Sequence, residues 1–254
     1  MTTFGDRQCV ELFHLLFLAQ LGQKVDKKRY ALKGGCNLRF FFGSPRYSED
    51  MDLDVQLEPV ETLREKVSSI LSSKPFKQLL QVRGIAIEHF TESKQTETTQ
   101  RWKLGIAIES TELPLPTKIE FSRRGMGVSA RFESVSAELI GRYGLPPIMT
   151  NHYPAEAAFR QKIQALISRS VTQARDVFDL HLLLASGLDS KSVIRESGVD
   201  VKEVQNRLLS VDFEQFKGQV LAYLPPEWQS QYDSSEVWDR MVLAVVESLQ
   251  GGAL

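Results

Sequence analysis

Cysteine is scarce: only Cys9 and Cys36 occur in 254 residues. That excludes a disulfide framework and a cysteine-rich zinc module. Histidine is equally thin. His14, His89, His152 and His181 stand far apart with no His-x-x-x-His pair, so a histidine-held zinc is not expected. Neither sign of charge is in excess, with 31 Lys+Arg against 32 Asp+Glu and a net charge of −1. A strongly basic nucleic-acid coat is therefore excluded for the chain as a whole, while a local patch is not. Long apolar runs are missing too. The longest, Val10 to Leu21, is interrupted by Glu11, His14 and Gln20, whereas a membrane span needs roughly 18 unbroken apolar residues. Met1-Thr2-Thr3-Phe4-Gly5-Asp6 has no basic or apolar leader character. The expectation is a soluble protein of a reducing cytoplasm, with no membrane partner. Neither an internal repeat nor a low-complexity segment is present.

What is there is ordinary globular composition, 42% hydrophobic and 25% charged, enough to bury a core without staples. Val10, Phe13, Phe17 and Leu21 recur at helical spacing and predict an amphipathic helix over 4–21. After Ala31-Leu32-Lys33-Gly34-Gly35, a short apolar segment from Leu38 to Phe42 reads as helical, closed by Gly43-Ser44-Pro45. Met51 to Val55 alternates apolar and acidic, a strand pattern. Pro59 to Lys74 returns to helical period. Strands are predicted at 85–87, 104–108 and 118–121, with Thr91 to Gln100 as a loop making a hairpin connection and Pro114 and Pro116 in a turn. Gly141 to Pro147 breaks regular structure. Beyond Tyr153 only helical patterns follow, at about 154–169, 173–186, 200–209, 212–223 and 235–249. The fold class expected is α+β: a mixed sheet with helices over 1–150, then an all-helical half over 151–254.

The chemistry concentrates in Ser48-Glu49-Asp50-Met51-Asp52-Leu53-Asp54. On a strand, Asp50, Asp52 and Asp54 project to one side. Carboxylates so placed repel one another and call for cations. Magnesium suits them, since it is held by one or two carboxylates plus water and substrate phosphates. Two such ions about 4 Å apart can clamp the attacking and leaving oxygens of a phosphoryl displacement. Glu120, between Ile119 and Phe121, is the candidate third carboxylate from a neighbouring strand. Alternating acids are also what a half-solvated strand looks like, and a Gly-Gly is also a simple turn. Their company is more specific. Gly34-Gly35 opens a helix whose backbone N–H groups could approach a phosphate, and Arg46 and Ser48 could order the turn before the strand, with Ser48 supporting a metal ligand. His181, Trp102, Trp228 and Trp238 read as packing residues. Arg123-Arg124 reads as a solvated turn, with contact to a polyanionic acceptor as the rival reading.

Leu32-Lys33-Gly34-Gly35, Leu38-Arg39-Phe40-Phe41 and Arg46 to Asp54, followed by Lys162-Ile163-Gln164-Ala165-Leu166-Ile167-Ser168-Arg169 and Arg175-Asp176-Val177-Phe178-Asp179-Leu180, resemble the ordered blocks of the AbiEii/AbiGii toxin nucleotidyltransferases. That family lies in the DNA polymerase β-like superfamily. The resemblance frames about residues 30–185. It implies a nucleotidyltransferase-like sheet domain and a helical domain closing a nucleotide cleft. Asp50 and Asp52 match the metal-binding Asp-x-Asp, with Glu120 as third ligand and Asp54 as an extra acid. Gly34, Gly35 and Ser48 fall in the nucleotide site. Lys162 matches a lysine reaching the nucleotide phosphates, and Asp176 and Asp179 match acids shaping the nucleotide pocket. Cys36 stands where a hydroxyl that can touch phosphate is usual, and a thiol is a weaker partner.

The activity implied is magnesium- or manganese-dependent transfer of a nucleoside monophosphate from an NTP to an acceptor, with release of pyrophosphate. The acceptor would be RNA, such as a tRNA 3′ end. The protein would be the toxin of a toxin–antitoxin pair in phage defence, with a separately encoded antitoxin, often a winged-helix DNA-binding protein. Two alternatives stay open: an acceptor that is a protein hydroxyl or a small molecule such as an aminoglycoside, and a catalytically silent nucleotide-binding module. The helical blocks also read without the family, as an Arg–Asp network between two packed helices.

Overall fold

A computed structural model describes residues 4–126 and 130–249. Residues 1–3, part of the segment read for a leader, lie outside them. The chain is α+β and divides into two compact units, 1–41 with 47–152, and 42–46 with 153–254.

The first unit is built on a seven-stranded mixed sheet. Its strands are β1 (Tyr30–Lys33), β2 (Asp50–Val55), β3 (Ile85–Gln95), β4 (Thr99–Ile108), β5 (Leu115–Ser122), β6 (Arg131–Ser134) and β7 (Met149–His152), in the order β3-β4-β5-β2-β1-β7-β6. β2 runs parallel to β5 and β1 parallel to β7, and the other neighbours are antiparallel. Helices α1 (Asp6–Lys24), α3 (Val60–Ser72) and α4 (Lys74–Gln81) pack on one face of the sheet. Their Phe13, Phe17, Leu63, Val67 and Phe76 meet Met51, Leu53, Trp102, Ile119 and Phe121 in one core. Helix α2 (Gly34–Phe41) packs against β1 and β2. A short α5 (Ala137–Arg142) precedes β7.

Three expectations need correction here. α1 is not amphipathic: every residue from Cys9 to Leu18 is buried, Glu11 and His14 included. Glu11 is satisfied there by Arg39, at 2.6 Å, and by the Tyr143 hydroxyl, at 2.7 Å. The helix read over 59–74 is α3 but ends at Ser72, and a further helix, α4, starts at Lys74, with the Ser73 hydroxyl accepting from the Phe76 amide and Pro75 in its first turn. The stretch 91–100 is the expected hairpin connection, but its loop is far shorter than read. β3 continues to Gln95, the turn is closed by Thr96 accepting from the Thr99 amide, and β4 starts at Thr99. β3 is an edge strand largely exposed to water, so beyond Ile87 its sequence carries little apolar alternation by which to read it.

The second unit holds α6 (Ala155–Ser168), α7 (Ala174–Ala185), α8 (Ser190–Ser197), α9 (Val201–Leu209), α10 (Phe213–Gln219), α11 (Pro226–Tyr232) and α12 (Ser235–Leu249). Phe159, Ile163, Phe178, Leu183, Leu208, Phe216 and Trp238 form its interior. Trp238 stacks on Phe216 and donates its indole N–H to the Val211 carbonyl at 3.2 Å. Helices α8 and α11 are additional to those read from periodicity. Trp228, on α11, is exposed rather than a packing residue.

Candidate active site

β2 separates its side chains as a period of two requires. Met51 and Leu53 enter the core, and the aspartates lie on the other face. On parallel β5, Ile119 and Phe121 are fully buried, and Asp50 stands opposite Lys118 and Asp52 opposite Glu120. Asp52 and Glu120 are thus neighbours on one open face of the sheet.

Each carboxylate but one is matched by a cation. Lys118 donates to Asp50 at 2.7 Å, Arg101 of β4 to Glu120 at 2.6 Å, and Lys33 of β1 to Asp54 at 2.5 Å. Asp52 accepts no hydrogen bond or ion pair from a side chain among the described residues. Burial raises its pKa, and Asp50 and Glu120 push the same way, against Lys118 and Lys33. Burial would lower the pKa of Lys118, but its hydrogen bond to Asp50 and the charges of Asp50, Asp52 and Glu120 raise it. Among the described residues, no three carboxylate, imidazole or thiol groups converge on one point. The donor set still suits a hard cation. Asp52 offers an uncommitted carboxylate with Asp50 on the same face, and magnesium needs only one or two from the protein. Glu120 is committed to Arg101.

Gly34 opens α2 beside this face. Its φ is +67°, a left-handed conformation that other residues rarely adopt. A Cβ there would lie 3.0 Å from Asp52 Oδ2, so only glycine brings the helix start this close to the carboxylate. Gly35 follows it in α2.

Cys36 does not take the role of a phosphate-touching hydroxyl. Its thiol is buried and donates to the Asp50 carbonyl at 3.2 Å, which also accepts from the Ser48 hydroxyl at 2.8 Å. Burial drives the thiol pKa far up, so it stays protonated. Ser48 thus holds the backbone of Asp50. Behind it, Thr117 donates to the Glu49 carbonyl at 2.6 Å, and its hydroxyl oxygen lies 2.8 Å from His14 Nε2. The threonine proton is already given away, so His14 Nε2 must be the donor, and Nδ1, 3.7 Å from the Cys36 sulfur, is unprotonated. Burial lowers the His14 pKa to about 4. Nothing in the sequence pattern marked Thr117; the signal for His14 was a histidine inside an otherwise apolar run.

In the second unit, Lys162 on α6 pairs with Asp179 at 2.5 Å and with Asp176 at 3.5 Å, both on α7. Arg169 also pairs with Asp176, and Arg46 with Asp179 at 3.3 Å. Both aspartates have 0% exposed side chains. They are brought together with Lys162, but as its buried counterions; neither presents a carboxylate at the surface. Burial opposes ionisation of Asp179, yet Lys162 and Arg46 hold its pKa below the usual value. Arg46, expected only to order a turn, is the unforeseen member. Arg123 is fixed by bonds to the Glu58 carbonyl and to Gln100.

Among the described residues, no helix is long and apolar enough to cross a membrane. A family model described as the nucleotidyl transferase AbiEii toxin of type IV toxin–antitoxin systems matches residues 16–239. Solved structures similar to the chain include JHP933 from Helicobacter pylori, with a TM-score of 0.60 and 18% identity over 98% of this chain and 95% of that one. Another is MenT4, a nucleotidyltransferase toxin from Mycobacterium tuberculosis H37Rv, with a TM-score of 0.66 and 19% identity over 97% and 84%. At such identities the likeness carries the fold. No curated protein matches the chain.

Proposed function

The chain belongs to the AbiEii toxin family of nucleotidyltransferases, matched over residues 16–239, and on that premise we propose that it moves a nucleoside monophosphate from an NTP to an RNA hydroxyl with the help of magnesium. In the reaction the acceptor oxygen bonds to the α-phosphorus, the bond from that phosphorus to the bridging oxygen breaks, and pyrophosphate leaves. The observation that carries this reading is Asp52: an unpaired carboxylate, opposite Glu120 in register and against the glycine start of α2.

Asp50 and Asp52 would hold magnesium, with Glu120 joining them once released from Arg101. When bound, magnesium supplies charge neutralisation at the phosphates and lowers the pKa of the attacking hydroxyl. The backbone N–H groups at Gly34 and Gly35 would receive a phosphate at the positive end of the α2 dipole. Lys118 and Lys33 oppose the desolvation that raises the pKa of Asp52. Cys36 and Ser48 fix the Asp50 backbone, so the carboxylates keep their spacing. Lys162, held in place by Asp176 and Asp179, is proposed as a phosphate contact. The family's type IV toxin–antitoxin assignment implies an antitoxin partner.

Purified protein would be incubated with magnesium, each α-labelled NTP in turn, and deacylated tRNA or total RNA. Labelled RNA and an equal yield of pyrophosphate are expected, both lost on chelation. Label on protein or on an aminoglycoside but never on RNA would overturn the acceptor. Nucleotide binding without pyrophosphate release, with any acceptor, would replace the enzyme by a silent module.

A further inference from the structure

We propose that Lys94, Arg101, Lys103 and Lys118 form a docking row for the backbone phosphates of the RNA acceptor, along the open face of β3, β4 and β5. This rests on the RNA-transfer reading above. The row follows from register. Lys103 stands opposite Lys118 across β4 and β5, and Lys94 opposite Arg101 across β3 and β4. Like charges directly opposite on one sheet face destabilise it, and here two such pairs follow in succession. A register shift between Thr91 and Lys94 sets the second pair. Without the extra residue, Ser93 would face Arg101, so the bulge places the charge where folding alone would avoid it.

The local counterions are already assigned. Arg101 is paired with Glu120 and Lys118 with Asp50. Lys94 and Lys103 are exposed, with no acidic partner among the described residues. On the same face the His89 ring covers Gly105, where an added Cβ would sit 2.4 Å from Cε1, so the row ends there.

Position favours a nucleic acid over an acidic protein. The row starts at Lys118, in register with Asp50, and continues outward across two strands, each about 4.8 Å from the next. A polyanion whose hydroxyl must come to Asp50 and Asp52 is repelled by those carboxylates unless cations run beside its path. The acceptor's affinity must then come from such a local row, because the whole chain carries a net charge of −1.

The test compares the wild type with Lys94→Gln/Lys103→Gln and Lys94→Arg/Lys103→Arg, using deacylated tRNA as probe. The glutamine pair is expected to weaken tRNA binding roughly tenfold and to make the log–log salt dependence shallower by about 1.4. KM for tRNA should rise while kcat and KM for NTP hold, and Tm should not fall, because both like-charge pairs have been relieved. The arginine pair should restore binding. An unchanged salt slope and tRNA KM in the glutamine pair overturns the row while leaving RNA transfer standing. So does loss of an acidic protein partner with tRNA affinity intact. A wild type that transfers nucleotide to no RNA overturns the acceptor reading, and the row with it.

Discussion

The sheet unit and the helical unit both set aspartates against lysine and arginine, and they do so in opposite environments. Asp50 and Lys118 are each 31% exposed, whereas Asp176 and Asp179 are fully buried among Lys162, Arg169 and Arg46. An exposed pair is worth about 0–1 kcal/mol and can be broken cheaply. A buried one costs about 3–5 kcal/mol when a single partner is lost, because the other charge is stranded. The open face is therefore built for exchange, its lysines able to yield carboxylates to another cation. The helical network is built to hold Lys162 and Arg46 in place.

The sharpest way to break that comparison is Asp52→Asn. It should abolish transfer, read as labelled product, with Tm unchanged or raised at pH 7. The sign follows from linkage. The folded pKa of Asp52 lies above its unfolded value, so its ionisation weakens folding as pH rises through that window, and an amide removes the cost. Full activity in this variant would remove Asp52 from the site. Asp179→Asn is the counterpart. It should lose about 3–5 kcal/mol in urea unfolding, and a loss near zero would make the two regions alike.

Much of the open face was legible. A period of two with apolar neighbours fixes which side Asp50, Asp52 and Glu120 occupy, and two core residues flanking Glu120 place it beside the aspartates. The edge hairpin was legible as a connection but the length of its strands was not, because β3 meets water along most of its length and has little apolar face to betray it. The Arg46–Asp179 pair spans 133 positions, beyond any local spacing rule. Cys36 illustrates a different limit. Its place after the glycine pair is visible in the sequence, but the direction of its thiol, toward the Asp50 carbonyl, is set by how α2 packs on β2.

His14 titrates at about 4 in the fold, against 6.5 in the open chain. The unfolded chain therefore binds the extra proton first. Wild-type stability should fall as pH drops below about 6.5 and level off near 4, by about 3 kcal/mol in all. His14→Gln should flatten that limb in urea titrations at pH 7 and 4.5. An equally steep limb in the variant would assign it to other groups.

The smallest effect is expected at Lys118→Gln. The pair with Asp50 is one-third exposed, so unfolding free energy should change by under about 1 kcal/mol. The consequence should appear instead in the pH profile. Lys118 is the leading charge opposing the raised pKa of Asp52. Without it the carboxylate protonates more readily, and the acid limb of the transfer rate must move to higher pH. A shifted limb with an unchanged Tm would separate exchangeable charge from structural charge within one substitution. A large Tm loss with an unmoved limb would mean that the open face is held together by its ion pairs, as the helical network is.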